Sequence, residues 1–488
     1  MDGRIWALVA MTLVLSGQVA LAGKAGETVL DRQVHIEQKL VLDIPSVPSL
    51  CDGIAGLTRG KVDIGDCKLY CEQEGKGTPI VLLNGGPGCA HQVFHPAFSQ
   101  AAKYARVIYY DQRGEGQSDY DPTGEKYTVR QAVEDLDNLR KALKIDKWVV
   151  VGHSYGGFLA QCYALEHPAA LFGLVLVCAS PGTPNVPLDS TRQRDYMTPE
   201  EIAKVRSIFK DEKLTEEQKL YNAHFNGDWK RQDFYRPTNE DLARMARYEW
   251  KPGPGFRERM CPDMERIDLE GRFANFDIPT LILEAKWDLT WNTDKPGKML
   301  KNHPGAKLVV LERSGHSAFD DEPDAFFSTL SDFVKSAKAA PAPAPDRMGT
   351  RIEWPPAVAL KINAMQWTGE DKRALDLFAE AKTAQLADAD SWIKLGIVLY
   401  DGKHYPEALE AFGQVTSVQK GEPIYRFVAH CWQGHVLDLM ERREDAIGEY
   451  RQALKIDIGD QTIQHDQYGM VIGRKWVEER LKTPFVRN

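Results

Sequence analysis

Residues 146–157 read "DKWVVVGHSYGG": an apolar run enters a serine enclosed by glycines. In the pattern G-x-S-x-G the serine occupies a sharp strand-to-helix turn. Gly152 and Gly156 suit that turn because side chains there would clash. Ser154 is then presented at the end of a strand, beside the first N–H groups of the next helix. The helix dipole favours negative charge developing at that point. The expectation is a nucleophilic hydroxyl at Ser154, with the main-chain N–H of Tyr155 as one oxyanion donor. Such a turn needs strands that alternate with helices around it.

The flanking sequence supplies that alternation. "PIVLLNGGPG" (79–88) is a β-rich apolar run ending in glycines, and "ARVIYYDQRGEGQSD" (105–119) is another followed by a polar loop. Val129, Ala132, Val133, Leu136, Leu139 and Leu143 recur at helical spacing. "LFGLVLVCAS" (171–180) is the next strand, and "KVDIGDCKLYCEQEGKG" (61–77) reads as two short strands joined near Gly65–Asp66. The pattern predicts a mostly parallel sheet with helices on both faces. It breaks at residue 181 and returns at "IPTLILEAKWD" (278–288) and "AKLVVLERSGH" (306–316). Residues 181–270 are helical in pattern and are expected to form a cap inserted between strands. The helix "EPDAFFSTLSDFVKSA" (322–337) closes the unit.

A serine nucleophile needs a base, and the base an orienting acid. His316 follows the strand-like "KLVVLE", and Asp288 follows "PTLILEAKW". Both fall at the C-terminal ends of expected parallel strands, where open α/β sheets gather their sites. The order Ser154, Asp288, His316 is that of α/β hydrolases. His153 adjoins the nucleophile, but neighbouring residues on such a turn point apart; His91 and His95, near the glycine loop, are weaker candidates for the base. Glu284, inside its strand, and Asp294, beyond its end, are rivals to Asp288. The second oxyanion donor is expected from Gly85 or Gly86 in "NGGPG". Arg113 in "DQRG" is expected to hold its loop through an ion pair with Asp111 or Asp119. No phosphate-loop pattern G-x-x-x-x-G-K-[ST] surrounds these glycines. No metal or organic cofactor is expected.

Residues 61–335 resemble the proline iminopeptidase family of α/β hydrolases. "LLNGGPG" is similar to that family's HGGPG segment, "YYDQRGEGQSD" matches its DQRG-x-G-x-S segment, and "VGHSYGG" and "ERSGH" follow in order. The resemblance implies a serine aminopeptidase that removes an N-terminal residue, often proline, from peptides. It also implies a cap whose glutamates bind the free α-amine. "RMARYEW" (244–250) is similar to the family's W-x-x-W-E-like cap segment, with Tyr248 in the second Trp place and Glu249 in that of the glutamate. Asn84 stands where the family has histidine. Tripeptidyl aminopeptidases and carboxylesterases share much of this machinery, and a binding protein that has lost activity is a further reading.

The chain has 488 residues and a net charge of −9. No basic stripe with interleaved aromatics speaks for nucleic-acid binding. No apolar run of about 18 residues follows the N-terminus, so stable membrane insertion is not expected. Residues 1–22 carry a basic start, an apolar core and Ala20-Leu21-Ala22. They read as a secretory signal peptide, and the protein as exported, periplasmic or extracellular. Export raises the matter of disulfides. Cys67 and Cys71 would lie about 13 Å apart along one strand face, too far for a bond with each other. Cys51 could bridge to either or to Cys89; buried thiols are the alternative.

"PAPAP" (341–345) is expected to be an extended spacer within a linker spanning 339–350. Beyond it, Ala374, Ala408 and Ala446 are each followed four residues later by an aromatic: Phe378, Phe412 and Tyr450. Trp392, Leu395 and Gly396 precede the middle pair at matching offsets. The intervals of 34 and 38 residues resemble tetratricopeptide repeats. The whole is thus read as α/β, an α/β-hydrolase sheet (23–180 and 271–338) with an inserted helical cap (181–270). An all-α tetratricopeptide-like repeat domain (351–488) follows, suited to a protein partner or self-association.

Overall fold

Apolar runs without alternation mark strands covered on both faces, and such runs make the centre of an eight-stranded sheet. The strands are β1 (Thr58–Asp63), β2 (Lys68–Gly75), β3 (Thr78–Leu83), β4 (Ala105–Tyr110), β5 (Trp148–His153), β6 (Leu171–Val177), β7 (Thr280–Ala285) and β8 (Lys307–Leu311). Their order is β1-β2-β4-β3-β5-β6-β7-β8. From β4 to β8 every pairing is parallel, while β1, β2 and β4 pair antiparallel. This computed structural model describes residues 40–46, 50–51, 53–180, 182, 204, 207–226, 235, 238–249, 251–264, 266–288, 295–368, 373–417, 423–459, 461–465 and 470–485. The expected signal peptide lies outside them. No helix among the described residues is long and apolar enough to cross a membrane.

Period-two alternation sorts the strand side chains onto two faces. Val81, Leu83, Ile108, Tyr110, Val150 and Leu174 pack beneath the helices Val129–Ala142 and Tyr155–Glu166. Ile80, Leu82, Val107, Tyr109, Val149 and Val175 face the phenylalanines of the helix Pro323–Ala339 together with Phe98. The exposed edge strand β1 reads "TRGKVD", and its charges discourage pairing with another chain.

The insertion falls between β6 and β7. Its described helices are Glu216–Asn226, Asn239–Arg244 and Phe256–Met264, with a wider π-helical turn at Met245–Glu249. Thr238 starts the second helix with a capping box closed by Asp241. Phe209, Leu220, Tyr221, Leu242 and Ala246 give the cap a small core of its own. Leu269 N–H donates to Gly182 O at 2.8 Å, so the cap's entry and exit are tied together.

Cysteine chemistry is simple. Cys67, Cys71, Cys162, Cys178 and Cys431 are buried thiols outside any disulfide. The Cys51 thiol donates toward Glu72 Oε2 at 3.6 Å.

The chain divides into the units Met1–Trp354 and Pro355–Asn488. The sequence places the boundary a few residues earlier, after an extended linker spanning 339–350. Instead, residues 345–354 are bound to the first unit as a strap. Arg347 O accepts from Asp277 N–H at 2.9 Å, and the Arg347 guanidinium holds Asp277 at 2.7 and 2.8 Å. Gly349 N–H and Thr350 N–H donate to Asn275 O and Arg272 O. Ile352 and Trp354 then pack onto the first unit's core. Proline and alanine composition cannot reveal these anchors, which come from residues far along the chain.

The second unit holds three helical hairpins: Ala357–Thr368 with Ala374–Thr383, Ala389–Asp401 with Tyr405–Ser417, and Pro423–Leu439 with Arg443–Lys455. A short strand pair and the helix Arg474–Lys482 follow. In two hairpins a glycine admits the facing ring. A Cβ on Gly396 would stand 2.5 Å from the Phe412 ring, and one on Gly434 would stand 2.4 Å from that of Tyr450. The helix carrying Gly434 has 17 residues against 13 for that carrying Gly396. The four residues that lengthen the second repeat interval are thus one added helical turn, at the N-terminal end.

His303 caps the first unit's packing near the serine turn. It is 2% exposed, its Nε2–H donates to Gln161 Oε1 at 2.9 Å, and it sits against Phe273. Burial drives its pKa down to about 3. An unfolded histidine titrates near 6.5, so below that pH the unfolded chain binds more protons. Stability is therefore present above about 6.5 and lost as pH falls toward 3, at up to about 1.4 kcal/mol per pH unit. His303→Gln should be less stable at pH 7 yet lose less between pH 7 and 5 than the native chain, as read from urea midpoints. A parallel loss in both proteins would contradict this.

Candidate active site

β5 ends at His153, and the chain reverses into the helix Tyr155–Glu166 through a single residue. That residue, Ser154, has φ 55° and ψ −119°, a conformation that costs a non-glycine residue of order 1–3 kcal/mol. The strain is held by close contacts on every side. A Cβ on Gly152 would lie 2.2 Å from Gly156 O, and one on Gly156 would lie 2.1 Å from Leu83 O. Ser154 N–H donates to Val177 O at 3.0 Å, which ties the turn to β6. Ser154 is half-buried.

Asp288 and His316 come from the loops after β7 and β8, and backbone bonds zip those loops together. Lys286 N–H donates to Leu311 O, Trp287 N–H to Ser314 O, and Trp287 Nε1–H to Glu312 O, all between 2.8 and 3.0 Å. Asp321, whose carboxyl burial raises to about 7, accepts from Gly315 N–H at 2.8 Å and fixes the residue before His316. The result is a contact of 3.0 Å between His316 Nδ1 and Asp288 Oδ2, with both groups buried. His153 joins this pair to the serine turn. Its Nε2–H donates to His316 O at 3.0 Å, and its ring lies 4.6 Å from that of His316. Burial, helped by His316, lowers its pKa to about 3. His153 is therefore a neutral brace for His316, a role that sequence reading did not assign.

The rivals to the acid go elsewhere. Glu284 pairs with Lys295 at 2.6 Å. Asp294 lies outside the described residues. His91 and His95 are engaged instead in a buried network with Asp111 and Glu72. His91 Nδ1 meets Asp111 Oδ1 at 2.7 Å, and His95 Nε2 meets Glu72 Oε2 at 3.0 Å. Burial opposes protonation of His91, but Asp111 and Glu72 outweigh it and hold its pKa up at about 9.

The glycine loop is built against Ser154. A Cβ on Gly85 would stand 3.2 Å from Ser154 Cβ, and Gly86 has φ 119°. Asn84, fully buried, braces the loop: its Nδ2–H groups reach Cys89 O at 2.7 Å and Glu115 Oε2 at 3.0 Å. Glu115 Oε1 accepts from Gly88 N–H at 2.7 Å. Burial raises the Glu115 carboxyl to about 8, against those hydrogen bonds. Glu115 is thus a loop brace that the sequence reading missed. Its partners are revealed only by folding.

Arg113 does not pair with Asp111 or Asp119. Its guanidinium forms a fork on Asp135 at 2.7 and 2.8 Å and reaches Asp66 at 2.8 Å. Asp111 instead accepts from His91 N–H and Gln117 N–H, and Asp119 pairs with Lys61. Helix Val129–Ala142 presents Asp135 on the face toward Arg113, a placement that local sequence does not disclose.

A cleft opens between the π-helical turn of the cap and this site. Gln92, Val93, Met245, Tyr248 and Ser317 line it, with the ion pair Arg244–Asp320 at 2.8 Å. Tyr248 is thereby placed beside the neighbour of His316. The backbone of Glu249 ends the same turn, and its side chain lies outside the described residues.

Among the described residues, two groups bring potential metal ligands within 4.8 Å of one another: Cys51–Glu72–His95 and Cys178–Asp288–His316. Glu72 in the first is engaged by Tyr70 as well as His95. Lys295 stands 3.5 Å from Asp288 in the second and would repel a cation. Neither arrangement calls for a metal.

The α/β hydrolase fold family matches residues 78–323. Proline iminopeptidase of Saccharolobus solfataricus is 30% identical over 280 residues, which are 55% of this chain and 87% of its own. The enzyme of that name from Heyndrickxia coagulans is 24% identical over 295 residues, 58% of this chain and 99% of its own. The crystal structure of proline iminopeptidase from Mycobacterium smegmatis covers 58% of this chain and 99% of its own at 20% identity, with a TM-score of 0.45. The family match takes in the serine turn and the loops that bear Asp288 and His316, and the chain belongs to the proline iminopeptidase family of α/β hydrolases.

Proposed function

We propose that this protein is an exported serine aminopeptidase that releases N-terminal residues, proline among them, from peptides through an acyl-enzyme. The observation that carries the reading is the strained Ser154 at φ 55°, packed against Gly85 and next in sequence to His153, which bonds the backbone of the His316 that pairs with Asp288. In this reading Ser154 Oγ attacks the carbonyl carbon while His316 Nε2 takes its proton. Asp288 holds the Nδ1–H and stabilises the imidazolium. The N–H groups of Tyr155 and of Gly85 or Gly86 receive the oxyanion. The tetrahedral adduct collapses as His316 returns the proton to the leaving amine, and water releases the acyl group by the same steps.

Ser154→Ala should fold normally and lose both turnover and labelling by a fluorophosphonate. Asp288→Asn should lower kcat/KM by on the order of 10³–10⁴-fold, because the wrong imidazole tautomer is then favoured. Retention of labelling in Ser154→Ala, or near-native rates in Asp288→Asn, would reject the assignment.

Substrate choice is assigned to the cap turn. Arg244 already engages Asp320 in the cleft, so recognition of a free α-amine falls to Glu249, with Tyr248 on the cleft wall. Glu249→Gln should weaken aminoacyl substrates about 30-fold or more, the loss expected when one partner of a buried charge pair is removed. N-blocked and simple ester substrates should be nearly unaffected. Equal losses on both would favour a carboxylesterase.

The second unit is assigned a tetratricopeptide-like binding role with no catalytic group. Ending the chain after Trp354, which retains the strap, should leave kcat/KM on a small chromogenic substrate within about threefold. Ending it at Ala340 removes the strap and its apolar anchors Ile352 and Trp354. Burial of Ile352 and part-burial of Trp354 contribute on the order of 2–4 kcal/mol, so the shorter form should unfold at markedly lower urea concentration.

A further inference from the structure

A buried ammonium stands behind the acid–base pair. Lys295 begins the helix Lys295–Asn302 and is 3% exposed. Its Nζ lies 2.6 Å from Glu284 Oε2 and 3.5 Å from Asp288 Oδ2. That same Asp288 oxygen faces His316 Nδ1 at 3.0 Å. Acyl transfer by a serine, a histidine and an aspartate requires no lysine, and a cation is costly to bury without compensation. Here the compensation is Glu284, also buried, on β7.

We propose that Lys295 and Glu284 are a pair of positioning residues that set the basicity of His316 through Asp288, a role that rests on the serine-hydrolase reading above. The ammonium fixes Asp288 Oδ2, but alone it would also draw on the charge that stabilises the imidazolium. Glu284 lies closer to the ammonium than Asp288 does and offsets that draw. Asp288 is thus oriented without surrendering its effect on His316. Among the described residues, other titratable groups facing this cluster are Cys178 after the end of β6 and His153 on β5. Burial keeps the Cys178 thiol protonated and His153 neutral, so neither supplies the missing charge. Burial lowers and the two carboxylates raise the Lys295 pKa, with a net rise that keeps it charged.

The test follows the rate of fluorophosphonate labelling of Ser154 in the full chain from pH 5 to 9. Burial raises the Glu284 carboxyl to about 7 against the pull of Lys295, so above that pH Glu284→Gln removes a negative charge beside the ammonium and leaves Asp288 as the nearest described carboxylate. The acid limb of the rate profile should move down by about one pH unit. The double variant Glu284→Gln/Lys295→Met removes the ammonium too and should return the limb to within about 0.3 unit of native. Lys295→Met alone should hold the limb at or above the native value. An unmoved limb in Glu284→Gln, or a double variant that keeps the shift, overturns the inference, because a packing role would lower rates without this reversal. If Glu284→Gln fails to fold, a lowered limb in Lys295→Met overturns it equally. Absence of Ser154 labelling in the native chain would instead sink the serine-hydrolase reading itself.

Discussion

The first unit depends on a contact where no side chain fits. Gly156 lies against the last carbonyl of β3, and Gly152 against the carbonyl of Gly156. This packing lets the helix after β5 descend directly onto the sheet, and it forces Ser154 into a conformation that open space would not impose. Because β3 leads into the glycine loop, the same contact sets the distance between that loop and the serine. The Ser154 N–H bond to Val177 then adds β6 to the arrangement. Strain at one residue is thus held by three neighbouring strands, and the loops after β7 and β8 need only bring their side chains to a fixed point.

Around that point the unit buries many ionisable groups, and those named here are bonded locally, Arg113 and Lys295 by carboxylates and Glu115 by the neutral Asn84 amide and Gly88 N–H. Glu115 braces the glycine loop, Arg113 joins Asp135 and Asp66, and Lys295 joins Glu284 and Asp288. In a weakly polarisable interior such pairs fix geometry firmly, since an ion that leaves its partner remains unsolvated. The site is therefore rigid because its polar groups are committed, as much as because its apolar groups are packed.

The sheet and the serine turn were legible because their signals are local. Apolar runs named the strands, and Gly152 and Gly156 framed Ser154. Asp288 and His316 could be proposed because strand ends in parallel sheets converge. Pairings between distant segments were not legible. Arg113 was expected to bond within its own loop, yet its partners come from residue 66 and from a helix at 135. Sequence alone offers Glu284 as an acid for the histidine, yet its carboxyl group is engaged by a lysine eleven residues later. The stretch just after "PAPAP" was not legible either: Arg347, Gly349 and Thr350, expected within the linker, are anchored on Asp277, Asn275 and Arg272.

The second unit's longer repeat interval has a geometric meaning. Four residues are close to one helical turn of 3.6, so the addition lengthens the helix by about 6 Å while turning it by only about 40°. Gly434 still meets Tyr450 as Gly396 meets Phe412. An insertion of two residues would have rotated that glycine away from the ring and opened the hairpin. Such helices can therefore change length in the course of descent only in steps near a whole turn. Each permitted step leaves the interior intact and adds a short ledge of new surface at the helix's beginning.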